Sequence, residues 1–259
     1  MTLLTDKVVV VSGVGPGLGR SLCLRAAANG AKVVLGARTE SRLNDVAAEI
    51  RDLGAQALVV PTDITDDAAV ENLVAKTVDE FGRADVLVNN AFAMPSMKPL
   101  ARTDFDQIEA SLSLTVLGTL RVIKAFTSTL ADNRGSIVNI NSMVIRHSEP
   151  RYGSYKVAKS ALLAMSQSLA TELGEQGIRI NSVAPGYIWD DQLKWYFGEV
   201  AKKYGITPEQ VYGQTASKSD LKRLPEPDEI ADAAVFLASP MANAVTGQTL
   251  DVNCGEYHV

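Results

Sequence analysis

The 259-residue chain has two cysteines, two histidines and two tryptophans. Cys23 and Cys254 stand alone, with no C-x-x-C pair and no paired histidines. Neither a disulfide framework nor a zinc site is therefore expected, and no metal is assigned. A formal net charge of −5 gives no reason to expect a nucleic-acid partner. No apolar run approaches the roughly 20 residues that cross a bilayer, so no membrane partner is expected. Linkers, repeats and low-complexity segments are missing as well. The first strand pattern begins near residue 7, which leaves no room for a signal peptide, and a cytoplasmic protein is expected. The strict G-x-G-x-x-G fingerprint is also absent, because Leu18 and Arg20 hold the positions a third glycine would need.

What is present is a 46% apolar chain of a length suited to one α/β domain, residues 1–259. Strand patterns fall at Lys7–Val11, Lys32–Leu35, Ala57–Val60, Val86–Asn89, Ser136–Ile140, Arg179–Val183 and Thr249–Val252. Helical patterns lie between them, near Arg20–Asn29, Ser41–Leu53, Ala68–Phe81, Phe105–Leu130, Tyr152–Leu173 and Pro227–Leu237. This alternation predicts a doubly wound parallel sheet of the Rossmann type with helices on both faces, which binds ligands at the carboxyl ends of its strands. Gly13, Asp63, Asn89 and Ser142 all fall at or just past strand ends, so one shared crevice is expected.

Two segments carry chemistry. The first is Ser12-Gly13-Val14-Gly15-Pro16-Gly17-Leu18-Gly19, between a β-branched strand and a helix. Free backbone N–H groups and a helix dipole meet there, which suits a pyrophosphate. Gly13 allows the tight turn, Gly17 the approach of a phosphate, and Gly19 close helix packing. The second segment runs from Ser142 to Lys159. Tyr155 and Lys159 are i and i+4, hence on one helix face. An ammonium about 4 Å from a phenolate is worth roughly 4 kcal/mol at an effective dielectric near 20, before desolvation subtracts from it. That predicts a tyrosine pKa lowered from about 10 by a few units, which suits proton exchange with an alcohol or carbonyl oxygen. Ser142 adds a hydroxyl for the same oxygen. Tyr152 and Lys156 make a second match to the spacing.

Together these segments resemble the short-chain dehydrogenase/reductase family in its ordinary branch of about 250 residues. Thr-Gly-x-x-x-Gly-x-Gly is matched with Ser12 for Thr, Asn-Asn-Ala-Gly by Asn89-Asn90-Ala91-Phe92, and the serine, Tyr-x-x-x-Lys and Pro-Gly elements by Ser142, Tyr155, Lys159, Pro185 and Gly186. The resemblance spans Lys7 to about Gly255, and its register selects Tyr155/Lys159 over Tyr152/Lys156. It implies Tyr155 as acid/base, Ser142 as the group polarising the substrate oxygen, and Lys159 as both tuner of Tyr155 and ligand of the nicotinamide ribose. A dinucleotide would touch Gly13, Gly17, Leu18, Arg38, Asp63, Ile64, Asn90, Ala91, Tyr155, Lys159, Pro185, Gly186 and Ile188. The family's helical asparagine is replaced by Thr115, which holds a water less fully, so Thr115 is included with the catalytic set. Residues 189–222 would form a substrate lid. The family's packing of its long helices predicts a homo-oligomer, a tetramer by resemblance.

Ala37 stands where NAD-preferring relatives carry an acid, and Arg38 with Thr39 suits a 2′-phosphate. NADP is therefore the expected cofactor, with NAD possible because Pro16 replaces a basic residue common in NADP-preferring relatives. Met94, Met97, Met143, Val144, Trp189, Trp195, Tyr196 and Phe197 flank the expected active site and suggest an apolar ketone or alcohol as substrate. The expected activity is an NADP(H)-dependent alcohol dehydrogenase or carbonyl reductase. The alternatives are an enoyl-thioester reductase, in which Tyr152 would replace Tyr155, and a non-catalytic dinucleotide sensor.

Overall fold

The computed structural model describes residues 2–94 and 96–258. Its strands are β1 (Val8–Ser12), β2 (Lys32–Ala37), β3 (Ala57–Pro61), β4 (Val86–Asn89), β5 (Ser136–Ile140), β6 (Arg179–Pro185) and β7 (Thr249–Val252). They form one seven-stranded sheet in the order β3-β2-β1-β4-β5-β6-β7. Every pairing is parallel. The valine run of β1 shows why: Val8, Val9, Val10 and Val11 are at most 1% exposed, so both faces of the strand are covered.

Helices supply that cover: α1 (Leu18–Ala28), α2 (Glu40–Asp52), α3 (Asp67–Phe81), α4 (Phe105–Leu112), α5 (Thr119–Asp132), α6 (Gly153–Leu173) and α9 (Pro227–Ala238). On one face Val9, Val11, Val33 and Leu35 pack with Leu22, Leu43, Ile50 and Val235. On the other, Val8, Val10 and Val34 pack with Leu73, Phe126, Leu130 and Ile180. β1 pairs with β2 on one side and β4 on the other, so the winding reverses there and opens a crevice beyond the strand ends. The doubly wound parallel sheet expected from the strand–helix alternation is the fold observed.

One expected element differs. Phe105–Leu130 is not a single α-helix, because a π-helical segment, Ser113–Gly118, separates α4 from α5. Gly118 makes the close approach possible there, since a Cβ at this position would lie 2.9 Å from the Ile64 side chain. The whole stretch Phe105–Asp132 has the length and mean hydropathy, 1.2, of a bilayer-spanning helix. Its apolar face of Val122, Ile123, Phe126 and Leu130 is fully buried under the sheet, however, and Arg121 and Lys124 interrupt the apolar pattern.

A buried polar chain ties the site strands to α6. Asn89 Nδ2 donates to Asn139 Oδ1 (2.9 Å), Asn139 Nδ2 to Ser166 Oγ (2.8 Å), and Ser166 Oγ to the Leu162 carbonyl (2.7 Å). This chain fixes the register of α6 against β4 and β5, and α6 carries Tyr155 and Lys159. After β6 come α7 (Asp191–Tyr204) and α8 (Pro208–Ala216), within the segment expected to form a lid. They share a small core of Phe197, Ala201, Val211, Ala216 and Leu224, against which Tyr187 and Trp189 pack.

Candidate functional site

A cleft of about 1000 Å³ opens at the carboxyl ends of the strands. Its walls include Gly13, Gly17, Leu18, Arg38, Asp63, Ile64, Asn90, Ala91, Ser142, Tyr155, Lys159, Pro185, Gly186 and Ile188, so all the expected dinucleotide-contacting positions meet in one place. Gly13 has φ +96, and a Cβ there would lie 2.3 Å from the Ala91 backbone nitrogen. Only glycine fits such a turn. Asn90 Nδ2 braces it by donating to the Gly13 carbonyl (2.7 Å).

The start of α1 is chemically open. Its N-cap, Gly17, supplies no side-chain hydrogen bond, and its first turn holds no acidic residue. Among the described residues, the N–H groups of Gly17, Leu18 and Gly19 meet no backbone acceptor. Unused donors at a positive dipole end fit a pyrophosphate. Farther along, Arg38 and Arg42 both line the cleft, and neither has a carboxylate partner in hydrogen-bond reach among the described residues. Arg42, in the first turn of α2, joins Arg38 from the loop before it, a pairing that the sequence spacing alone does not show. Asp63 Oδ1 instead accepts from the Thr65 N–H (2.9 Å) and Oγ1 (2.7 Å). Those bonds, more than nearby Arg38, hold its carboxyl below the usual range. The capping role next door falls to Asp66, whose side chain accepts from the Ala68 N–H.

At the reactive end, Tyr155 and Ser142 line the cleft together, and the Ser142 hydroxyl oxygen accepts from the Val144 N–H (3.3 Å). Burial nevertheless dominates and pushes the phenol up to about 12, with Ser142 working the other way. Burial alone pulls the Lys159 ammonium down from 10.5 to about 8. Lys159 Nζ lies 5.8 Å from the Tyr155 ring centroid and donates to the Ile140 carbonyl (2.7 Å). The expected lowering of the Tyr155 pKa by Lys159 is therefore not found. Lys159 spends its charge on a carbonyl, and desolvation outweighs the attraction that the spacing suggested. Phe92, in place of the family glycine, meets the Tyr155 ring edge-on at 5.8 Å.

The buried Lys159 has a measurable consequence. Below pH 8 the lysine is charged in both folded and unfolded chains, and the shift from 10.5 corresponds to about 3 kcal/mol of destabilisation. Between pH 8 and 10.5 the unfolded chain binds the extra proton, so this penalty fades as pH rises. Denaturant unfolding of the native chain and Lys159→Met at pH 7 and pH 10 should show the native chain gaining on the variant at the higher pH. A gap that ignores pH contradicts the assignment.

Thr115 does not join this group. It is buried, 7% exposed, within the π-helical segment, while Leu114 lines the cleft. The segment's wider turn alters which side chains face the site, a register shift that an α-helical reading misses. Asn141 behaves unexpectedly too: it is 2% exposed and lines the cleft, and its buried Nδ2 has no partner among the described residues.

The substrate side of the cleft carries Phe92, Met94, Met97, Met143, Val144, Trp189, Trp195 and Tyr196. Phe197 does not line it, because its ring is buried in the core shared by α7 and α8. Tyr152 bonds the Tyr187 hydroxyl (3.2 Å), and Lys156 Nζ donates to the His147 carbonyl (2.6 Å), so the second Tyr/Lys match is occupied with structural bonds. Arg146 forms a fork with Asp251 and does not line the cleft, whereas His147, stacked on Tyr257 at 4.1 Å, does.

Known proteins share this arrangement. A family model described as Enoyl-(Acyl carrier protein) reductase matches residues 13–257. A short chain dehydrogenase/reductase of Aspergillus oryzae is 32% identical over 255 residues, covering 97% of this chain and 95% of the relative. A 7alpha-hydroxysteroid dehydrogenase of Escherichia coli is 32% identical over 256 residues, covering 97% and 94%. Among solved structures, L-sorbose reductase from Gluconobacter frateurii, complexed with NADPH and L-sorbose, superposes with a TM-score of 0.93 at 27% identity, covering 100% of this chain and 99% of that one. A 7 alpha-hydroxysteroid dehydrogenase complexed with NADH and 7-oxo glycochenodeoxycholic acid gives 0.87 at 32% identity, covering 98% and 95%. With near-complete coverage in each comparison, the chain belongs to the short-chain dehydrogenase/reductase family of oxidoreductases.

Proposed function

We propose that this protein is an NADP(H)-dependent carbonyl reductase or alcohol dehydrogenase of a largely apolar ketone or secondary alcohol. The chief support is that Tyr155, Ser142 and buried Lys159, whose Nζ lies 5.8 Å from the Tyr155 ring, share one cleft with the open start of α1. The nicotinamide supplies or takes the hydride. Tyr155 holds the proton that the substrate oxygen gains or loses, and Ser142 donates a hydrogen bond to that oxygen. Lys159 keeps a positive charge in a dry pocket beneath them. Arg38, Arg42 and Thr39, with no acid at residue 37, favour a 2′-phosphate over a bare ribose hydroxyl. The methionines and aromatic side chains of the outer cleft favour an apolar body.

The description of the matched family model gives weight to a second reading, enoyl-thioester reduction. Against it, the Tyr152 hydroxyl is bonded to Tyr187. Turnover of ketones, secondary alcohols and enoyl thioesters with both cofactors, followed by nicotinamide absorbance, decides between them. Ketone reduction with NADPH is the expected result, and activity confined to enoyl thioesters would overturn it.

A symmetric homo-oligomer and a cytoplasmic location belong to the same proposal. Leu117 (56% exposed), Phe105 (80%) and Val157 (41%) leave apolar surface on the helices that the family packs together. Light scattering should give a multiple of 27.7 kDa, and a monomer at micromolar concentration would refute the assembly.

A further inference from the structure

The end of β6 leads through Ile188 and Trp189 to Asp190, the N-cap of α7. Asp190 Oδ1 accepts from the Leu193 N–H (2.9 Å). Its other oxygen points elsewhere: a Cβ built on Gly17 would lie 2.5 Å from Asp190 Oδ2. A carboxylate thus rests against the N-cap of α1, beside the donors of Gly17, Leu18 and Gly19 that have no backbone acceptor. Both residues line the cleft, and no basic side chain pairs with Asp190 among the described residues, Lys194 being engaged by Asp191. The negative charge therefore sits at the positive end of α1, the place where an anionic ligand gains most from dipole and N–H groups.

We propose that Asp190 is an electrostatic brake on dinucleotide binding: its carboxylate occupies the field of the glycine loop and repels the pyrophosphate that must sit there. The inference rests on the reading of this cleft as a dinucleotide site. Two negative groups brought together at one loop lose affinity, and the loss is screened by salt. Because Oδ1 caps α7, the carboxylate is held with Oδ2 facing Gly17. The brake shows as faster release of the bound cofactor, not as a change in which cofactor is chosen.

The test is Asp190→Asn, since asparagine caps a helix about as well as aspartate and the fold is retained. Binding of NADPH is read by its fluorescence in titration, and release by stopped-flow displacement. Asp190→Asn should bind NADPH about tenfold tighter at low ionic strength, with the gain in slower release and shrinking several-fold in 0.5 M salt. Asp190→Ser, whose hydroxyl can cap α7 but carries no charge toward Gly17, should show the same gain. Equal or weaker binding by both variants, with unchanged melting temperature, overturns the brake while leaving the dinucleotide site intact. A gain that is insensitive to salt overturns the electrostatic origin. Absence of NADPH binding by the native chain and both variants overturns the brake together with the cofactor reading, whereas binding that appears only in the variants supports the brake in its strongest form.

Discussion

Replacing Tyr155 by phenylalanine should reduce turnover by 10²-fold or more while leaving dinucleotide affinity nearly unchanged. The ring that meets Phe92 edge-on is retained, so the cleft wall keeps its shape. What is lost is the phenol proton that faces the cleft beside Ser142. General acid–base groups contribute about 10²–10⁴-fold, which sets the scale. Gly13, Gly17, Arg38 and Lys159 are untouched, and titration of NADPH separates binding from chemistry. Tyr152→Phe removes only the bond to Tyr187 and should cost far less. Near-normal turnover in Tyr155→Phe, with loss in Tyr152→Phe, would move the acid to the position required for enoyl reduction.

Reversing the charge beside the second strand should have the next largest effect. Arg38→Glu should weaken NADPH binding by about 10- to 100-fold, corresponding to about 1–3 kcal/mol for a lost charge-assisted contact plus new repulsion. Both Arg38 and Arg42 are exposed, so solvent screens each one, and the pair should act together. Arg38→Glu with Arg42→Glu should lose more than either alone. NADH, with no 2′-phosphate, should bind the variants as well as it binds the native chain, or better, because a carboxylate there can accept from the ribose hydroxyl. Calorimetric titration of both dinucleotides measures this. Native binding that is tighter for NADH than for NADPH would contradict the preference at its root.

The parts of this molecule that were legible in the sequence are those set by local physics. The uncharged Val8–Val11 run could only be covered on both faces, and the glycine spacing could only make a tight loop before a helix. The strand–helix alternation then placed Ser142, Tyr155 and Lys159 with the loop beyond the carboxyl ends of the central strands. What stayed hidden depends on distance and burial, not on spacing. The Tyr155–Lys159 pairing predicts a lowered phenol pKa, but the ammonium turns to the Ile140 carbonyl and burial prevails. The π-helical segment that turns Thr115 inward leaves no mark in the apolar periodicity of the stretch around it. Phe197 reads like Trp195 and Tyr196, yet only the fold of α7 against α8 reveals that it faces inward. Asp190 reads as an ordinary N-cap, and its second contact, with Gly17, joins residues far apart in the chain.

Hydride transfer to a carbonyl is tested by NADPH carrying two deuteriums at nicotinamide C4 and a bulky aromatic ketone, with the product read by mass spectrometry and NMR. The native chain should place one deuterium on the carbinol carbon of the alcohol, at a rate that falls by about 10²-fold or more in Tyr155→Phe. Label found on carbon only when an enoyl thioester is supplied, or no transfer to any carbonyl while NADPH remains bound, would contradict it.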